Sequence, residues 1–417
     1  MPCARKRTGF FLRMRQFCLR PRLHTIQQGG IRMIRRIAAV TAAVLICTVP
    51  VLRVSADVPE VSAKAYVLMD AQTGHVVCGN HAEEKRPMAS TTKIMTALLT
   101  LESGALDMPF TVDSEAIRTE GSSMGLQEGD TVTKRVLCAG MLLPSGNDAA
   151  NAAAVAVAGD IPAFLERMNR RAAEIGMTHT CFATPSGLDA EGHGASAHDM
   201  ALLAREALRN DDFAAICCQQ RMRVCFGAPP YLRTLTNTNK LLSMDETVIG
   251  VKTGFTDDAG RCLVSAAERD GRRLICVTLF DPNDWADHQA LFDYGFASAV
   301  PCTLPLPELP EVPVEGGESD TLRVYLREPL TLTAWRGIPP EYTVQILLPP
   351  FLTAPVRKGE PVGSVLYRSG QTEIARLPLC AAVEIAQTPQ EPPEQNMILR
   401  IKRALFKVFF NYPQYTR

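Results

Sequence analysis

The order of hydrophobic periodicities along residues 58–299 constrains this chain more than any other feature. Two short β-rich runs, at 65–70 and 75–78, flank a turn that ends in Gly74, and they predict a hairpin. Helical patterns fill the middle: 91–101 stopped by Gly104, 137–143, the alanine-rich 148–158, and 162–175 stopped by Gly176. Ser196-Ala197-His198-Asp199 reads as a capping box ahead of a helix over 200–208. Strand patterns follow at 247–256, 262–268 and 273–279, the last two joined by Asp270-Gly271, and a helix over 285–296 closes the segment. Strands at both ends with helices between them imply an α+β domain over 57–299, one sheet with helices on its faces.

The pattern then changes. Residues 301–313 are proline-dense and predict a linker. Short strands at 322–326, 330–334, 342–348, 363–367 and 373–378 predict a small all-β sandwich over 300–386. A polar, proline-containing linker at 387–394 leads to a last segment, 397–412. There Ile398, Ile401, Leu405, Val408 and Phe409 share a helical face opposite Arg400, Arg403 and Lys407. Such a basic amphipathic helix predicts attachment of residues 387–417 to a membrane surface.

At the other end, Arg35-Arg36, an apolar run over 37–52 and Val54-Ser55-Ala56 have the order of a secretory signal covering residues 1–56. The run is short of the roughly 20 residues that span a bilayer, so cleavage near Ala56 is expected, with an uncleaved anchor as the alternative. The first 32 residues are arginine-rich and free of Asp and Glu, which points to Met33 as the start. The chain is therefore expected on the outer face of the cell membrane. Ten of the 13 cysteines follow the signal, with no C-x-x-C pair, and are read as small buried residues with free thiols. Lys plus Arg and Asp plus Glu are both 44, so nothing suggests a nucleic-acid partner.

Three motifs carry chemistry. Ser90-Thr91-Thr92-Lys93 puts a hydroxyl and an amine on one face of a helix start. A serine needs a base to act as nucleophile, and a lysine serves once burial and a nearby cation lower its pKa. Lys252 is the candidate cation. Ser145-Gly146-Asn147 sits between two helices, where Ser145 is placed to relay a proton and Asn147 to bind a peptide backbone. Lys252-Thr253-Gly254 lies in a strand, with Lys252 and Thr253 suited to an anionic group and Gly254 to close approach of an extended peptide. The N–H groups of Ser90 and Phe255 are the expected oxyanion hole. Each motif alone has an ordinary structural explanation: a capping serine, a turn, a solvent-facing lysine. Their joint occurrence in this order is what points to acyl transfer.

In that order the motifs resemble the penicillin-binding proteins and serine β-lactamases. Residues 185–189 (Pro-Ser-Gly-Leu-Asp), Gly192-His193, Ser196-Ala197, Asp199-Met200, 237–242 and 250–260 narrow the resemblance to the serine D-Ala-D-Ala carboxypeptidases, the low-molecular-mass penicillin-binding proteins. It is strong over 63–296 and weaker in the β region, through 354–359. It implies a transpeptidase/β-lactamase-like α/β (α+β) domain with an antiparallel sheet and helices on both faces. The implied substrate is the peptidoglycan stem pentapeptide, and β-lactam antibiotics are implied ligands. The implied catalytic residues are Ser90, Lys93 and Ser145, and the substrate-binding ones Asn147, Lys252, Thr253, Gly254 and Phe255. No metal or organic cofactor is expected. Two departures stand out: His198 replaces a common arginine, and Phe255 a common histidine.

Alternatives have weaker support. A β-lactamase commonly carries E-x-x-L-N, which Glu166-Arg167-Met168-Asn169 does not match. His193, His198 and Asp199 lack the H-E-x-x-H spacing of a metallopeptidase. An inert peptidoglycan-binding module would be expected to lose the serine or lysine, and both are present.

Overall fold

The computed structural model describes residues 57–370 and 372–389. The expected signal, start site and C-terminal amphipathic helix lie outside the described residues.

The hairpin forms as expected, from β1 (Ala65–Asp70) and β2 (Val76–Asn80). A 3-10 turn over Ala89–Thr92 then runs into helix α1 (Lys93–Glu102). Ser90 thus lies in a tight turn ahead of the α-helix rather than in it. Two minimal strands, β3 (Phe110–Thr111) and β4 (Thr131–Val132), precede the helices α2 (Lys134–Leu142), α3 (Asn147–Ala158), α4 (Ile161–Ile175), α5 (Ala197–Ala207) and α6 (Asp211–Cys217). Side-chain caps start several of them: Thr133 accepts from Val136 N–H, Asp160 from Ala163, Ser196 from Asp199 and Asn210 from Phe213. At Ser196 only half of the expected capping box forms. The Asp199 carboxylate turns instead to the His179 N–H and the Thr180 hydroxyl, both at 2.7 Å.

A second hairpin, β5 (Arg221–Gly227) with β6 (Pro230–Thr236), and a one-turn helix α7 (Leu241–Met244) were not anticipated. The expected strands follow as β7 (Val248–Thr256), β8 (Gly260–Arg269) and β9 (Arg272–Leu279), then helix α8 (Asp284–Ala297). The sheet runs β2-β1-β9-β8-β7, antiparallel throughout.

Strand alternation explains how the sheet organises two cores. Ala65, Val67 and Met69 of β1, with Ile275 and Val277 of β9, face a large core shared with α1–α6. Tyr66 and Leu68, with Leu274 and Cys276, face a second core built on Leu291 and Phe292 of α8 and Leu241 of α7. Helices therefore cover both faces, as expected. Burying each large apolar side chain contributes about 1.5–3 kcal/mol, which accounts for central strands with no exposed face.

The proline-dense stretch is only partly a linker. Its first residues lie in β10 (Ala299–Thr303) and its last in β11 (Val312–Glu315). Proline is tolerated in β10 because that strand pairs on one side only, with β14. The remaining strands are β12 (Thr321–Leu322), β13 (Val324–Leu326), β14 (Thr331–Trp335), β15 (Thr343–Leu347), β16 (Leu352–Thr353), β17 (Pro361–Ser369) and β18 (Thr372–Ala381). Apart from β14, they form sheets β13-β18-β17-β15 and, with β11, β12-β11-β16; the core here includes Leu304, Val312, Val365, Tyr367 and Leu379. Trp335 of β14 is buried in the second core of the first region. Arg205 of α5 bonds the Ala71 and Gln72 carbonyls and the Thr372 hydroxyl, tying the first hairpin's turn to β18.

Candidate active site

The Lys93 amine is fully buried and donates to three oxygens: Ser90 Oγ at 2.7 Å, Asn147 Oδ1 at 2.6 Å and the Ser186 carbonyl at 2.6 Å. Asn147 Nδ2 donates to the Glu120 carbonyl, so its Oδ1 is the atom facing Lys93. Neither Asn147 Oδ1 nor a backbone carbonyl can donate a proton. Once Lys93 is neutral, its two N–H bonds satisfy those two acceptors and its lone pair is left facing the Ser90 hydroxyl. The cage thereby orients a base toward one proton.

The environment also favours the neutral amine. Burial drives the Lys93 pKa well below its ordinary value, and the Lys252 ammonium pushes it further, while Asp148 opposes the shift. Lys252 is itself buried, with its pKa lowered to about 7 by desolvation. It donates to the Thr253 carbonyl at 2.8 Å. The Thr253 hydroxyl pairs with that of Thr238 at 2.6 Å. Ser145 is nearly buried, with a left-handed φ of 67°, one residue before the N-cap of α3. The structure thus brings Ser90 and Asn147 each into direct contact with the Lys93 amine. Ser145 stands outside the three bonds of the Lys93 amine.

Two glycines set the position of the nucleophile. A Cβ on Gly254 would lie 3.0 Å from the Met88 carbonyl and 3.1 Å from Ser90 N. The close approach that Gly254 permits is therefore first of all that of β7 to the serine turn. Gly187 has φ +87°, and a Cβ there would sit 2.0 Å from the Ala89 carbonyl oxygen. Phe255 is 63% exposed, so its side chain takes no part in the core.

Several contributors were not legible in the motifs. The Ser186 carbonyl has no side-chain signature. Asp148 accepts from the Ser123 hydroxyl and from the N–H groups of Met124, Gly125 and Leu126, which fixes the loop before α2 against the start of α3. Asp189 accepts from the Thr256 hydroxyl at 2.9 Å. His193 supports the serine turn from below. Its Nδ1 accepts from Ala183 N–H, so its Nε2 carries the proton and donates to Thr92 Oγ1, which donates to the Ala89 carbonyl. With both ring nitrogens occupied, His193 cannot join His198 as a metal ligand. Glu166 is exposed on α4, and Asn169 bonds the backbone of Phe182, so this stretch is structural.

Burial lowers the His193 pKa from 6.5 to about 4. The unfolded chain takes up this proton below pH 6.5, the folded chain only below about 4. Stability therefore falls as pH drops through this window, by up to roughly 3 kcal/mol from His193. His288, held between Ser265 and Thr278 with a pKa lowered to about 3, adds in the same direction. Asp281, raised to about 6 by burial, works against them. Urea unfolding between pH 7 and 4.5 isolates the first contribution: His193→Gln is expected to lose less stability than the parent over that range.

Comparisons with known proteins cover most of the described residues. A family model described as D-alanyl-D-alanine carboxypeptidase matches residues 52–283, and one described as penicillin-binding protein 5, C-terminal domain, matches 308–387. The D-alanyl-D-alanine carboxypeptidase DacF of Bacillus subtilis is 30% identical over 342 residues, covering 76% of this chain and 85% of the relative. DacC of Escherichia coli, of the same description, is 34% identical over 343 residues, covering 78% and 84%. Penicillin binding protein 5 from Haemophilus influenzae superposes with a TM-score of 0.58 at 27% identity, over 79% of this chain and 99% of that one. The Streptomyces K15 DD-transpeptidase gives 0.55 at 31% identity, over 57% and 98%. On these matches the chain belongs to the serine D-alanyl-D-alanine carboxypeptidases, the low-molecular-mass penicillin-binding proteins.

Proposed function

We propose that the chain removes the terminal D-Ala from peptidoglycan stem pentapeptides through an acyl-enzyme on Ser90. The observation that carries this reading is the acceptor cage that turns the Lys93 lone pair toward Ser90 Oγ. Ser90 Oγ attacks the carbonyl carbon of the penultimate D-Ala as its proton passes to Lys93 Nζ. The N–H groups of Ser90 and Phe255 stabilise the oxyanion. Lys252 and Thr253 bind the substrate's terminal carboxylate, and Asn147 its peptide backbone. The C–N bond then breaks, D-Ala leaves with a proton delivered from Lys93 through Ser145, and water hydrolyses the ester to restore Ser90. A penicillin enters by the same route, its lactam carbonyl and carboxylate occupying the places of the D-Ala-D-Ala end.

Two substrates test the reading. A peptide ending in D-Ala-D-Ala is expected to release D-Ala, and its C-terminal amide to react at least tenfold more slowly, since the amide offers Lys252 no charge. A fluorescent penicillin is expected to give a long-lived adduct. Equal rates on acid and amide would remove the assigned role of Lys252 and Thr253, and rapid penicillin turnover would favour a β-lactamase. We further propose that the protein is exported and held at the extracytoplasmic face of the cell membrane by residues 397–412. Deleting 396–417 is expected to release it from sedimented membranes; continued sedimentation would make the N-terminal segment the anchor.

A further inference from the structure

Away from the Ser90 cleft, four chemistry-bearing side chains converge from three segments. Glu83 follows β2, His179 follows α4, and His198 and Asp199 lie in the first turn of α5. His179 Nδ1 is 3.3 Å from one Glu83 oxygen and His198 Nδ1 is 3.2 Å from the other. One donor atom each of Glu83, His179 and Asp199 lie within 4.8 Å of one another. A separate observation concerns Asp199, which is 1% exposed. Its Oδ2 takes two hydrogen bonds, while its buried Oδ1 has no hydrogen-bond partner among the described residues. A buried carboxylate oxygen without a donor is costly, and a bound cation is one of the few things that offsets it.

We propose that Glu83, His179 and Asp199 bind a divalent transition-metal ion of the zinc type, with His198 orienting Glu83 through its second oxygen. One imidazole and two carboxylates form a borderline nitrogen–oxygen donor set, suited to Zn²⁺, Co²⁺ or Mn²⁺. Bonds of about 2.0–2.1 Å in tetrahedral geometry place neighbouring donors about 3.3–3.4 Å apart, close to the Glu83–His179 separation. Asp199, whose donor atom lies within 4.8 Å of the other two, closes the set by moving toward them, and water completes the fourth position. A histidine that contacts the far oxygen of a ligating carboxylate is an outer-shell partner. The ion clips the β2–Ser90 connection, the segment after α4 and the start of α5 to one another. It takes no part in acyl transfer, because the Lys93 cage includes none of these residues.

The test uses full-length protein without a histidine tag, stripped with a chelator and titrated with Co²⁺ alone. One ion per chain is expected, with visible ligand-field bands and no thiolate charge-transfer band, which separates this site from the free cysteines. The side chains of Glu83 and His179 are about half exposed, so Glu83→Gln and His179→Ala leave the core intact, and each is expected to weaken binding at least tenfold. His198→Ala is expected to weaken it about 10–100-fold, and His198→Arg to abolish it by placing a guanidinium beside Glu83. Zn²⁺ should raise Tm in the parent and not in His179→Ala, while D-Ala release survives the chelator. Unchanged affinity in His179→Ala, a purely thiolate spectrum, or no binding up to about 1 mM would each overturn the site.

Discussion

Ser90→Ala is expected to abolish penicillin labelling and to lower D-Ala release by about 10⁶-fold, the scale seen when a serine nucleophile is removed. The fold should not suffer. Ser90 lies in a solvent-reaching turn, and the Lys93 amine keeps two of its three acceptors, Asn147 Oδ1 and the Ser186 carbonyl. Lys93→Gln is expected to approach the same floor, and the double variant to fall little further, since nucleophile and base act as one unit. The check is a pair of measurements on each variant: labelling with a fluorescent penicillin and the urea midpoint. Labelling of Ser90→Ala at the parent rate would mean that another nucleophile carries the acyl group.

Gly187→Ala is expected to damage the site almost as severely although residue 187 bears no functional group. An L-residue there meets two independent penalties. The backbone is left-handed at φ +87°, and the new methyl would sit 2.0 Å from the Ala89 carbonyl oxygen and 2.9 Å from Ser90 N. The neighbour in the clash is main chain, so nothing flexible can yield. We expect a destabilisation of about 4 kcal/mol or more and acylation slowed at least a hundredfold through displacement of the serine turn. Gly192→Ala is the control: its φ is also left-handed, +74°, but among the described residues nothing lies within 4 Å of the added methyl. That variant should lose only about 1 kcal/mol and keep its acylation rate. Equal behaviour of the two would show that the contact with Ala89 is unimportant.

The strongest periodicities were legible. Strands β1, β7, β8 and β9 and helices α1, α3 and α4 appear within a few residues of their patterns, because each must bury a face against the sheet. The β5–β6 hairpin was hidden by composition. Val224 and Phe226 point inward at period two, but arginines, a cysteine and the Ala228-Pro229-Pro230 turn interrupt the impression of a strand. For the site, Ser90, Lys93 and Asn147 were legible as motif residues, and so was the pairing of Ser90 with Lys93, but the contact of Asn147 with Lys93 was not. That contact depends on the Ser186 carbonyl and on Asp148 holding residues 123–126, and a backbone oxygen leaves no mark in a sequence. Gly254 was read for what a substrate needs, whereas its nearest neighbours are Met88, Ala89 and Ser90. Asp199 was read as half of a capping box, and its carboxylate proved to serve the loop before α5.

The grip of Gly187 and Gly254 on the serine turn also bears on how such an enzyme can escape an inhibitor. Single substitutions that disturb the turn forfeit the natural peptide together with the drug, so a lineage under antibiotic selection has few viable steps at the floor of the cleft. The rim is different. Phe255 is 63% exposed, and the role proposed for it asks only for its main-chain N–H. Heritable drift in drug affinity should therefore accumulate at positions of that kind, where the side chain answers to the ligand's periphery and the backbone keeps the chemistry.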